Sequence, residues 1–175
     1  MRLEIRWRLA LLFLLLLVGK LGASEFPESD IKAAYLFNFA KFVEWPARAF
    51  SSSSAPLVIG IFGSDPFGGT LERITQGEVV HGHKLVVRHC RTLGELKDCC
   101  QIVFIPKAES DRIDQALAAV RGGAVLTVGD SEHFISQGGM IRFIKAGKNV
   151  RFQINAAAAQ QEALMISSRL LRLSI

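Results

Sequence analysis

Four histidines, three cysteines and 16 acidic residues are the groups through which this 175-residue chain could do chemistry. His81-Gly-His83, with His89 and Cys90 close by, has the spacing of a metal site. Alternate residues of a strand point the same way, so two imidazoles could share an ion. No carboxylate with matching spacing completes the set, and a solvated loop before a strand is the plainer assignment. Asp130-Ser-Glu-His133 follows a predicted strand end, where open α/β sheets place ligands. Asp130 and Ser131 suit the caps of a following helix, and His133 has no nucleophile to serve. Gly63-Ser-Asp-Pro-Phe-Gly68-Gly69 is a strand–turn–helix junction whose amides could meet an anion. It lacks the lysine and glycine spacing of a phosphate loop and reads as a turn. No Gly-x-Ser-x-Gly elbow occurs. The expectation is a protein without catalytic residues, metal or cofactor.

The remaining candidate is Phe39-Ala-Lys41-Phe42-Val-Glu44-Trp45-Pro46. An aromatic stripe at helical spacing is most often core. A tryptophan at a helix end beside charged residues, however, suits an interface centre. Phe39, Lys41, Phe42, Glu44 and Trp45 are therefore the candidate partner contacts, with burial deciding between the two readings.

These residues need a scaffold. Ser29 is a good N-cap for a helix running to about Trp45, which Pro46 should end. Its apolar arc, including Ile31, Tyr35, Leu36 and Phe37, is wider than one sheet face covers, so it is buried on two sides or meets another chain. Leu57–Phe62 is a continuous apolar run, as in a strand covered on both faces. Lys84–Arg88, Gln101–Ile105 and Ala124–Val128 supply further strands. Short helices intervene, to about Ile74 and over Thr92–Lys97. An amphipathic helix from Ser110 or Asp111 has the inner stripe Ile113, Leu117 and Val120. Met140–Lys145 and the alternating Arg151–Asn155 form a hairpin. Asn155 then caps a final helix with Ala159, Ala163, Ile166, Leu170 and Leu173 inside. Right-handed crossovers make this an α/β three-layer sandwich. Its sheet is mostly parallel with a C-terminal antiparallel hairpin, and helices cover both faces.

Residues 1–23 read as a signal peptide, with Arg2, Arg6 and Arg8 before the ten-residue apolar run Leu9–Val18. Cleavage is expected after Ala23 or Ser24, and residues 24–175 read as one domain; the alternative is an uncleaved amphipathic anchor. The leader holds four of the 21 basic residues and one of the 16 acidic ones. Beyond it the charges nearly balance, with no basic stripe for nucleic acid. Export brings an oxidising compartment. With Cys90, Cys99 and Cys100, an odd count, Cys90 can pair with Cys99 or Cys100. Yet Cys90 ends one predicted parallel strand and Cys100 begins the next, which would put them at opposite ends of the sheet.

Taken in order, Ile31–Pro46, Leu57–Gly63, Cys100–Ile105, Leu126–Asp130, Gly138–Phe143, Arg151–Asn155 and Leu164–Leu171 resemble the YfiR family of periplasmic proteins. The resemblance spans essentially residues 24–175. It implies a non-enzymatic repressor that binds the periplasmic domain of an inner-membrane sensor. In the best-known type this sensor is a diguanylate cyclase of YfiN type, and the output is cyclic-di-GMP. Other members neighbour sensor kinases. It also implies homodimers, and an outer-membrane lipoprotein able to sequester the repressor. Disulfide redox state affects the best-known members. Here Cys100 matches a recurring family position, but the Met140–Asn155 hairpin carries no pair. A small-ligand module serving a kinase or transporter, using the crest after Gly63 and Asp130, is the competing class.

Overall fold

Leu57–Phe62, Ile102–Ile105 and Leu126–Gly129 are buried at every position. Apolar side chains alternating to both faces of such runs need a covering layer on each side. The computed structural model describes residues 26–97 and 100–175; the predicted leader, 1–23, and Cys99 lie outside the described residues. In chain order the elements are α1 (Glu28–Phe42), β1 (Val43–Glu44), β2 (Leu57–Phe62), α2 (Thr70–Thr75), β3 (Val79–Val80), β4 (His83–Cys90) and α3 (Leu93–Leu96). There follow β5 (Ile102–Ile105), α4 (Ile113–Val120), β6 (Leu126–Gly129), β7 (Ile141–Ala146), β8 (Asn149–Ile154), α5 (Ala156–Gln161), β9 (Met165–Ile166) and α6 (Ser168–Leu173).

Seven strands form one sheet in the order β3-β4-β2-β5-β6-β7-β8. The five inner strands are parallel, and β3 and β8 close the edges antiparallel. On one face α1, α2, α5 and α6 pack Leu36, Phe39, Leu71, Ala159 and Leu170 against Ile59, Phe104, Val128 and Phe143. On the other, α3 and α4 pack Leu96, Ile113, Ala116, Leu117 and Val120 against Val58, Phe62, Val103 and Ile105. This is the expected three-layer α/β sandwich, with the β7–β8 hairpin at its C-terminal side.

Three local expectations are corrected. The first helix begins at Glu28, after Pro27 and without a side-chain cap from Ser29. It stops at Phe42 rather than Trp45. Val43 turns extended, its N–H still reaching the Phe39 carbonyl, and then pairs with Ile166 while Glu44 pairs with Met165. Pro46 excludes helical geometry only at Trp45; the strand pairing ends the helix earlier.

The last helix is also two helices. Asn155 does cap α5, accepting from the Ala158 N–H. Ala163 then takes a left-handed backbone, φ 58°. Leu164 N–H reaches the Ala159 carbonyl and Ala163 N–H that of Gln160. That is a Schellman ending, after which β9 runs until Ser167 caps α6. Third, His81 and Gly82 (φ 52° and 84°) form the two-residue turn of a β3–β4 hairpin, since two left-handed residues match the strand twist.

Candidate functional site

The sheet crest, where a ligand was the competing expectation, is occupied by the chain's own side chains. Glu109, 15% exposed, lies over Gly63 and accepts from the Ser64 N–H at 3.3 Å. The junction amide that could have met an anion thus meets a built-in carboxylate. Arg112 holds the other Glu109 oxygen at 3.2 Å.

Asp130 is not a helix cap, because residues 131–138 form turns. Its carboxylate accepts from the Lys107 N–H at 2.6 Å and from Lys32 Nζ at 2.7 Å. Lys32 also reaches Glu28 at 2.7 Å, and Lys145 reaches Glu28 at 3.1 Å. This chain of charges fastens the start of α1 to the ends of β6 and β7. Burial weakens the Lys32 ammonium, but its hydrogen bonds to Asp130 and Glu28 outweigh that and raise its pKa above the ordinary 10.5. The hydrogen bond from Lys32 holds Glu28 below its ordinary 4.5.

The signs follow. The Lys32 contribution is complete below about 10.5 and is lost as pH rises through the raised value. That of Glu28 is present above about 4.5 and is lost as pH falls through the lowered one. Lys32→Met should cost about 2 kcal/mol at neutral pH, the scale of a charged hydrogen bond. Melting temperature followed from pH 3 to 11 should show both limbs less steep in the variant. Identical limbs in the two proteins would remove the network from the stability account.

At the other end of α1 lie the predicted partner contacts. Lys41 and Glu44 are exposed, and Phe42 and Trp45 are half-buried at the surface. Phe39 is a correction: it is fully buried. It stacks between Tyr35 and Phe143, at 6.0 and 5.8 Å, and meets Phe152 edge-on at 5.3 Å. It sets the helix on the sheet and presents nothing to a partner.

Pairing of β1 with β9 brings Met165, Ile166 and Arg169 to this face, residues that a continuous final helix would have placed differently. Lys41, Phe42, Glu44, Met165, Ile166 and Ser167 line a shallow depression of about 260 Å³. Met165 is 64% exposed. The Lys41 ammonium lies 3.8 Å from the Phe37 ring centre, and the Arg169 guanidinium 5.4 Å from that of Phe42. Both cations are thereby oriented by aromatic faces. The sequence signal for β9 was the apolar pair Met165-Ile166 directly before a capping serine.

Trp45 braces this face from below. Its indole N–H donates to the Gln101 carbonyl at 3.1 Å. The Gln101 side chain accepts from Val58 N–H at 2.8 Å and donates to the Ala49 carbonyl at 2.6 Å. One glutamine therefore sews the 45–50 segment to the start of β2. Beyond it Phe50 stacks on His83, 3.8 Å between ring centres, and His83 bonds the Ala55 carbonyl at 2.6 Å. His83 is thus held as a structural ring. His81 sits on the hairpin turn and His89 lies farther along β4, so the three do not gather as one site.

Cys90 and Cys100 are both buried in the layer under α3 and α4. The Cys100 sulfur packs over Gly60, 3.0 Å from where a Cβ would sit there. Cys100 is a free thiol, so the Cys90–Cys100 alternative is not formed in this structure. Register explains the separation: Cys90 pairs with Phe62 at the end of β2, whereas Gln101 N–H meets Val58 near its start.

A family model described as YfiR/HmsC-like matches residues 29–175. No curated protein matches. Among solved structures the chain is similar to a conserved domain protein from Vibrio cholerae O1 biovar El Tor strain N16961, with a TM-score of 0.53 and 12% identity. That alignment covers 86% of this chain and 60% of the other, so this chain spans less than two thirds of that protein's length. At such identity the likeness is one of fold.

Proposed function

The chain belongs to the YfiR/HmsC-like family, and from that premise we propose that it binds the periplasmic part of an inner-membrane diguanylate cyclase and holds it silent. The family is regulatory and non-enzymatic, and its members are periplasmic proteins of cyclic-di-GMP signalling. The observation that carries the finer reading is the β1–β9 face. There an exposed methionine and a half-buried phenylalanine sit within a rim of Lys41, Glu44 and Arg169. An apolar centre with a charged rim is the anatomy of a protein contact. The crest offers a ligand less, because Glu109 and Asp130 already occupy it.

Repression in this reading is differential binding. Turning a sensor from 99% active to 99% silent takes about 5.5 kcal/mol of preference between its states. At roughly 25 cal/mol per Å², about 220 Å² of apolar surface covered in the silent state alone meets that figure before ordering costs. Lys41 and Glu44 set orientation through their opposite charges. A lipoprotein competing for this face would release the sensor, and a homodimer would present the face twice.

Deletion should raise cyclic-di-GMP, and wild-type protein should restore it. Met165→Glu, on an exposed position, should fold normally yet bind about 30-fold more weakly, the loss typical of an interface centre. It should therefore fail to restore repression. Unchanged cyclic-di-GMP on deletion, with no sensor co-purifying from membranes, would reject the proposal. Full repression by Met165→Glu would move the contact elsewhere.

A further inference from the structure

We propose that Asp65, Glu72 and His89 form a binding site for a divalent cation of the zinc class, independent of the partner face. The three come from separate elements. Asp65 follows β2, Glu72 lies in α2, and His89 is in β4 opposite Ile61. Because β4 lies beside β2 and runs parallel to it, the C-terminal ends of both strands meet the start of the α2 crossover. One ligand atom from each residue lies within 4.8 Å of the other two. An ion about 2.0–2.2 Å from nitrogen and oxygen ligands fits between groups so placed with small side-chain movements.

A second observation points the same way. Glu72 Oε1 meets His89 Nε2 at 2.7 Å. The Glu72 side chain is 39% exposed overall, but its Oε2 atom is shielded from solvent and has no hydrogen-bond partner among the described residues. A carboxylate oxygen so placed is costly unless positive charge compensates it. A cation shared with His89 and Asp65 supplies that charge. Asp65 is already oriented, since its Oδ1 accepts from the Phe67 N–H at 2.8 Å. Such outer bonds fix a ligand in place. His89 and Asp65 are exposed, which leaves an entry path and room for water as a fourth ligand.

One imidazole nitrogen, two carboxylate oxygens and a water make a tetrahedral set suited to zinc. Magnesium and calcium prefer all-oxygen shells. The sequence spacing hid this group: the carboxylates that His89 needs lie 17 and 24 positions before it, and only the neighbouring of β2 and β4 brings them close. The imidazoles that looked like its partners lie elsewhere, His81 on the exposed hairpin turn and His83 stacked on Phe50.

The test is calorimetric titration of the purified protein with zinc chloride, with cobalt(II) absorption as a probe of tetrahedral geometry. Wild type should bind one equivalent at this site, with magnesium unable to compete. His89→Ala and Glu72→Gln should each weaken binding at least tenfold, as loss of a metal-site group does. His81→Asn, which the left-handed turn tolerates, should leave it unchanged. Zinc should raise the melting temperature of wild type and not that of His89→Ala, while circular dichroism shows both folded. Absence of saturable zinc binding by wild type would overturn the proposal. So would an affinity within twofold of wild type in both His89→Ala and Glu72→Gln.

Discussion

Phe39→Ala should destabilise the protein by about 3–5 kcal/mol, the cost of emptying a buried aromatic site. The reason is position. Phe39 is completely buried, and its ring is shared by α1 and the β7–β8 hairpin through Phe143 and Phe152. The cluster continues through Phe104 to Phe67, at 6.2 and 5.1 Å. Removing one ring takes away apolar burial and leaves a void that stiff aromatic neighbours fill poorly. Urea denaturation should show a lower midpoint with an unchanged slope. A loss under about 1 kcal/mol would mean that the cluster collapses around the gap. The contrast with Met165→Glu separates the two roles that the Phe39–Trp45 stripe combines. One variant should lose stability, the other only binding.

The second large effect is Gly139→Ala. Phe134 is fully buried, its ring held between two glycines. A Cβ on Gly139 would lie 2.2 Å from the ring and 2.7 Å from the Phe134 carbonyl; one on Gly129 would lie 2.5 Å from the ring's other edge. The ring cannot retreat from one glycine without meeting the other, and the carbonyl accepts from Gly139 N–H at 2.8 Å. The cost should reach or exceed the roughly 1–3 kcal/mol usual for overpacking. Phe134→Leu should relieve part of it, so a double-mutant cycle should show coupling above about 0.5 kcal/mol. Simple additivity, or a Gly139→Ala protein as stable as wild type, would contradict this account of the turn between β6 and β7.

These two residues also show what was legible in the sequence. Strands β2, β5 and β6 could be read because burial on both faces writes itself as unbroken apolar runs. The β7–β8 hairpin could be read because a wetter face enforces alternation. Phe39 and Phe42 could not be told apart in role. On a helix whose apolar residues spread over a wide arc the periodicity leaves the inward direction loosely set, and only the packed sheet decides which ring turns inward. The ends of α1 and the break in the last helix escaped because β1–β9 pairing joins residues over 120 positions apart. Lys32 and Asp130, separated by 98 positions, carry no mutual signal. Asp130 also looked like a cap because aspartate after a strand commonly is one. On the partner face, Lys41, Phe42, Glu44 and Trp45 were readable as a group, whereas Met165 and Arg169 were not.

The claim on which the functional account turns is that a sensor sits on the β1–β9 face. It is tested most directly by installing a photocrosslinking side chain at Met165 and, as a control, at exposed Ala118 on α4, across the sheet. Irradiated cells should yield a crosslink from position 165 to one inner-membrane protein with a periplasmic domain, and none from position 118. A crosslink from 118 but not 165, or one joining position 165 only to a second copy of this chain, would contradict the account.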